Sequence, residues 1–225
     1  MTNPDLLITG ATLPDGTRAD ILVEGTRVSA VGQGLSSSSA TKIDADGLIA
    51  LPGLVDLHTH LREPGYEQSE TVLTGTQAAA LGGFTSVFAM ANTLPVADTA
   101  GVVEQVLRLG DEAGYATVRP IGAVTKGLEG LQLAELGAMA NSRAAVRVFS
   151  DDGKCVFDPL IMRRALEYVK TFGGVIAQHA QEPRLTVDAQ MNEGEVSARL
   201  GLAGEAHAWS ARAVACCQWP RSRIE

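Results

Sequence analysis

Two histidines one residue apart, His58 and His60, close a short run whose apolar stem is Leu54-Val55. Read as a strand, the run sends alternate side chains to opposite faces, so the two imidazoles share one. Neutral imidazole suits zinc and other divalent first-row metals, and a rigid strand fixes the geometry that such ions need. Arg62 follows two residues on, a planar cation that grips anions, and Pro64-Gly65 ends the segment in a tight turn. The pattern predicts half of a metal site beside a carboxylate clamp.

The elements that must carry these groups alternate. A first helix is expected over about Glu70 to Leu81, stopped by Gly82-Gly83, and a buried strand over Phe84 to Ala91, with Asn92 to Pro95 as the loop after it. Asp98 reads as the cap of a helix bearing Val102, Val103, Val106 and Leu107 at helical spacing and ending at Gly114. A third strand over Thr117 to Val124, a short helix near Leu131 to Met139 and a fourth strand over Ala144 to Ser150 follow, the last running into Asp151-Asp152-Gly153. Asp158-Pro159 is a capped helix start, and that helix runs to Gly173-Gly174. Val175 to His179 is the fifth strand, and Asn192 and Glu195 have capping-box spacing before residues 196–200. Strand-helix alternation of this kind predicts a parallel sheet.

Active-site groups in such architectures gather at the C-terminal ends of strands. His58 and His60, Asn92, Asp151 and His179 all fall there. Period-2 alternation puts Arg147, Phe149 and Asp151 on one face and Val175, Ala177 and His179 on one face. Asp152 competes with Asp151, but the same alternation turns the two to opposite faces if the strand persists that far.

Residues 1–52 read differently, as short Gly-punctuated runs (Asp5 to Gly10, Asp20 to Gly25, Arg27 to Gly32) expected to form antiparallel hairpins in a small β-rich domain. A serine-rich stretch, residues 34–40, is expected to be a flexible connection. The fold class predicted is α/β: about five βα units of an incomplete (β/α)8 barrel over residues 53–203, preceded by a small β-sandwich layer. A full barrel takes ~250 residues, more than this chain has left.

The 225 residues are 45% hydrophobic and 20% charged, a globular composition. A net charge of -8 and a pI near 5.0 argue against nucleic acid as a partner, while leaving room for one local arginine to bind an anion. Residues 1–5 lack the basic and apolar regions of a signal peptide, and no apolar run approaches the ~18 residues of a membrane span. Three cysteines, two of them the adjacent Cys216-Cys217, make no disulfide framework. Cytoplasm is the expected compartment.

The stretch His58-Thr59-His60-Leu61-Arg62-Glu63-Pro64-Gly65 resembles the signature of dihydroorotases, the cyclic amidohydrolases of pyrimidine biosynthesis. Met90-Ala91-Asn92-Thr93, Phe149-Ser150-Asp151-Asp152-Gly153, Gln178-His179-Ala180 and Met191-Asn192-Glu193-Gly194 resemble that family in order and spacing, over about residues 1–203. The resemblance implies a site with two zinc ions: His58 and His60 on one, Asp151 bridging both, His179 on the second. It implies that Arg62 and Asn92 hold the substrate carboxylate, with His60 beside them. The implied reaction is reversible hydrolysis of the dihydroorotate ring amide to N-carbamoyl-L-aspartate. Allantoinase-like and hydantoinase-like relatives bridge their metals with a carbamylated lysine on the fourth strand, and residues 145–151 contain none, so an aspartate bridge of the class I type is expected.

Small departures from the family pattern stand at Ala91, Cys155 and Gln181, the last where an acidic residue is common. A larger one begins near Gly204, where residues 204–225, with both tryptophans and His207, read as a divergent tail from truncation or a shifted frame. The family's later metal-binding histidine and its proton-shuttling aspartate have no match, so weak or absent activity is expected of this chain. The alternative readings are another cyclic amidohydrolase, allantoinase-like or hydantoinase-like, and a non-catalytic dihydroorotase-like partner that stabilises an oligomer of its own or with a transcarbamoylase.

Overall fold

A computed structural model of the protein describes residues 4–184 and 186–205. The tail reading of residues 206–225, including His207 and Cys216-Cys217, lies outside the described residues. The chain divides into two units, Met1–Gly53 and Leu54–Glu225.

The first unit is one four-stranded sheet in the order β3-β2-β1-β4. Strands β1 (Leu6–Thr12), β2 (Arg18–Glu24) and β3 (Arg27–Gly32) are successive antiparallel neighbours, as their glycine-punctuated runs predict. Strand β4 (Thr41–Asp44) pairs parallel to β1 and has no counterpart among the runs read from the sequence. All four of its residues are exposed, so no apolar alternation announces it; backbone pairing with β1 makes it a strand. Among the described residues this unit has one sheet.

The second unit alternates parallel strands with helices. Strands β5 (Leu54–Thr59), β6 (Phe84–Ala89) and β7 (Thr117–Pro120) pair in that order, and β8 (Val148–Phe149) pairs with β9 (Val175–Ile176). A parallel bridge between Gly122 and Phe149 joins the two ladders. Among the described residues β5 pairs on one edge only, and its Leu54, Val55 and Leu57 are exposed. The fourth and fifth strands are each two residues long, much shorter than the alternation pattern predicts.

Helix α1 (Val72–Leu81) starts at Thr71, whose side chain accepts the Thr74 amide. The Val72 amide is taken by the Glu63 carboxylate at 2.8 Å, so the loop after His60 caps this helix as well. Helix α2 (Ala100–Ala113) ends at Gly114 in the left-handed conformation, as expected. Its cap is Thr99; Asp98 instead accepts the Gly127 amide at 2.9 Å and ties down a neighbouring loop. Helix α3 (Leu136–Asn141) begins later than predicted, and α4 (Pro159–Val169) is capped by Asp158 as predicted. Helix α5 (Glu195–Leu200) is entered from Gly194; Asn192 lies instead in β10 (Met191–Asn192), which pairs with β11 (Gly204–Glu205).

One core joins Val103 of α2, Val124, Leu136, Met139, Phe149, Met162 and Val169; a second joins Leu61, Val72, Val87, Val106 and Val118. The second holds α2 against β7 at van der Waals closeness: a Cβ on Gly110 would lie 2.5 Å from the Val118 Cβ. Alanine ordinarily gains about 1 kcal/mol over glycine inside a helix. Here overpacking, about 1–3 kcal/mol, should win. We expect Gly110→Ala to lower the urea midpoint, whereas an unchanged or higher midpoint would show that helix and strand are not in contact there. Among the described residues no helix is long and apolar enough to cross a membrane.

Candidate metal centre

The site is built at the ends of β5, β8 and β9. His58 is the fifth residue of β5, and His60 lies just beyond that strand's last residue. The shared face holds: the two Nε2 atoms are 3.3 Å apart. Both face one oxygen of Asp152, Oδ2, at 3.2 Å from His58 and 3.4 Å from His60. The other oxygen, Oδ1, lies 3.2 Å from Nδ1 of His179. One carboxylate thus stands between a pair of imidazoles and a third.

This corrects the expectation that Asp151 supplies the central carboxylate. Asp151 is 1% exposed and turned to the opposite side. Its Oδ1 accepts the amides of Val124 (2.7 Å) and Thr125 (3.0 Å), and its Oδ2 accepts the Thr125 hydroxyl. Both oxygens are therefore committed within the fold. The two neighbouring carboxylates do face opposite ways, as alternation expects, but it is Asp152 whose side meets the histidines and Asp151 whose side meets the loop after β7. Of the residues expected on that face, Phe149 is buried in the core and Arg147, exposed, donates to the carbonyls of Ala140 and Val146. Burial pushes the Asp151 carboxyl up from its ordinary value, and the three hydrogen bonds from Thr125 and Val124 oppose that rise.

The donor set fits a cation. Asn92 Oδ1 can only accept, so at 3.0 Å from His60 Nδ1 it fixes the proton there and leaves the Nε2 lone pair facing His58 and Asp152. Likewise Gln181 Oε1, 2.8 Å from His179 Nε2, leaves the Nδ1 lone pair facing Asp152. Lone pairs from two imidazoles and a carboxylate thus converge, with Nε2 of His58 beside them, on a place suited to a cation. The edges of 3.2, 3.3 and 3.4 Å among His58, His60 and Asp152 match the ~3.3 Å separating donors around a tetrahedral ion with bonds of ~2.0–2.1 Å. His58, His60 and Asp152 form a group able to hold a metal ion.

In the sequence Gln181 stands only as a departure from the family pattern; its place beside His179, two residues on, is the signal that marks it. Arg62 is half-buried with a backbone φ of 59°, a conformation that L-residues seldom adopt outside constrained sites. Among the described residues no acidic group pairs with its guanidinium, and it makes no hydrogen bond to Asn92.

The backbone of this chain is similar to that of a solved hydantoinase. It superposes on L-hydantoinase (dihydropyrimidinase) from Arthrobacter aurescens with a TM-score of 0.75 at 21% identity, over 96% of this chain and 49% of that one. At such identity the likeness concerns the fold. The chain belongs to the Dihydro-orotase-like family, whose sequence model matches residues 47–218. It is 76% identical over 204 residues to a dihydroorotase of Leifsonia xyli, covering 91% of this chain and 47% of that protein. A dihydroorotase of Streptomyces coelicolor is 71% identical over 198 residues, 88% of this chain and 46% of that protein. The chain thus spans about half the length of the curated relatives it matches.

Proposed function

We propose that this chain carries the metal-binding part of a dihydroorotase site, for reversible hydrolysis of the dihydroorotate ring amide to N-carbamoyl-L-aspartate in pyrimidine synthesis. The carrying observation is the Asp152 carboxylate, with one oxygen toward His58 and His60 and the other toward His179. On this reading His58, His60 and Asp152 hold one zinc ion, and Asp152 and His179 a second. When bound, such ions supply a hydroxide nucleophile at neutral pH and polarise the scissile carbonyl.

The protein's own part is to hold and orient. Asn92 and Gln181 fix the imidazole tautomers, so His60 and His179 present lone pairs rather than N–H groups. Arg62, free of acidic partners, receives the substrate carboxylate in two parallel hydrogen bonds, helped by Asn92. An aspartate between the histidines, with no lysine on the fourth strand, favours dihydroorotate over hydantoin or allantoin as the ring. The same reading takes residues 53–203 as about five units of a (β/α)8 barrel and the first sheet as one layer of a β-sandwich. The parallel order of β5 to β9 with helices between them supports it.

Titration calorimetry of the zinc-loaded full chain with L-dihydroorotate tests this. Loss of one member of a buried, hydrogen-bonded charge pair costs about 2–5 kcal/mol, so Arg62→Met should weaken binding by about 30-fold or more. Equal binding by both chains, or preference for hydantoin or allantoin, would overturn the assignment.

A further inference from the structure

The buried carboxylate beside the centre has a role of its own. The backbone ladder between the third and fourth strands ends where the Ser150 amide donates to the Gly122 carbonyl at 2.9 Å. Immediately beyond, the Asp151 side chain takes over the link, accepting the Val124 and Thr125 amides and the Thr125 hydroxyl. That hydroxyl in turn accepts the Gly130 amide at 2.9 Å, so the whole loop after the third strand is gathered on one side chain. Thr125 is 0% exposed, and none of these donors has water to fall back on.

The next residue is Asp152. Its amide donates to Ser150 Oγ at 3.1 Å, and the Asp151 carbonyl accepts the Lys154 amide at 2.8 Å, closing a turn with Asp152 and Gly153 at its centre. Gly153 takes a φ of 84° there, which a residue with a Cβ resists. The Asp152 carboxylate therefore points where the turn points, and the turn is pinned at its first residue by Asp151. We propose that Asp151 and Thr125 are positioning residues that aim the Asp152 carboxylate between His58, His60 and His179 without touching a ligand atom themselves. This rests on the reading of that cluster as a metal site.

The test is Co2+ binding to the full chain, followed by the visible d–d bands, alongside thermal midpoints in chelator. Thr125→Val keeps the shape of the side chain and deletes the hydroxyl; Thr125→Ser keeps the hydroxyl. Second-shell changes typically cost ~10–100-fold in metal affinity, and that loss, with shifted bands, is expected of Thr125→Val and reversed in Thr125→Ser. A role confined to stability would lower the metal-free midpoint and leave affinity and bands of the folded chain unchanged, which would overturn the proposal.

Asp151→Asn covers the case in which Thr125→Val fails to fold. Its amide oxygen still accepts the two backbone amides, and its NH2 group can donate to the Thr125 hydroxyl oxygen. Affinity within a few-fold of the unaltered chain is expected, against near-complete loss in Asp152→Asn. Equal loss in both would show that Asp151 is itself a ligand and would overturn the positioning role. An unaltered chain that binds no Co2+ would instead sink the metal reading itself, and this proposal with it.

Discussion

Asparagine at position 152 should strip the centre of metal while leaving the fold standing. The two oxygens of Asp152 face different histidines, Oδ2 toward His58 and His60 and Oδ1 toward His179. An amide has one oxygen and one NH2 group, so one of the two sides would meet N–H donors in place of an acceptor. The local negative charge, which makes a divalent ion welcome among the imidazoles, would also go. Changes to second-shell partners cost ~10–100-fold in affinity, and removal of the shared ligand should exceed that range. Metal content by plasma mass spectrometry after dialysis reads the outcome. Retention of metal by Asp152→Asn would mean that the carboxylate is not the centre of the cluster.

Alanine at Gly65 should be nearly as damaging, to the fold first and to the site through it. Gly65 has a φ of 99°, and a Cβ built there would lie 2.5 Å from the Leu94 Cβ, 2.8 Å from its carbonyl carbon and closer still to its carbonyl oxygen. The obstacle is backbone and cannot swing aside. It is held in place by the Leu94 amide donating to the Pro64 carbonyl at 2.9 Å. Strain at such a φ costs about 1–3 kcal/mol and overpacking about 1–3 kcal/mol more, a large share of a typical domain's stability. Because this contact joins the loop after His60 to the loop carrying Asn92, Gly65→Ala should also loosen the bond between those two side chains. Urea denaturation measures the first effect and metal affinity the second. Stability within about 1 kcal/mol of the unaltered chain would show that the loops do not meet backbone to backbone.

The difference between Asp151 and Asp152 marks how far the residues alone could lead. The His-x-His pair was legible because period-2 alternation holds through β5 and one residue past it. The order of strands and helices was legible from apolar runs and glycine stops, and the caps at Asp158 and Gly114 from local chemistry. The choice between neighbouring aspartates was not. Alternation sends the two to opposite faces, but which face meets the histidines is settled by partners such as the amides of Val124 and Thr125, some 26 residues away in sequence. Asp98 teaches the same lesson: it looks like a helix cap, but the Gly127 amide claims it. Long-range hydrogen bonds to backbone leave no trace in local periodicity, and they decide which carboxylate faces the histidines. Gln181 was visible only as a substitution, because its meaning depends on the ring orientation of His179.

The exposed side of β5 has a further consequence, for the behaviour of the chain in bulk. A strand with no strand neighbour on one edge among the described residues, bearing Leu54, Val55 and Leu57 at 44%, 53% and 66% exposure, is a template for another strand. Purified at high concentration, the chain should show light scattering that climbs with concentration and time. A single Val55→Lys change, placing a charge on that edge, should suppress it. The strand that presents the histidines is thereby also the adhesive part of the molecule, and its colloidal stability and its chemistry draw on the same six residues, Leu54–Thr59.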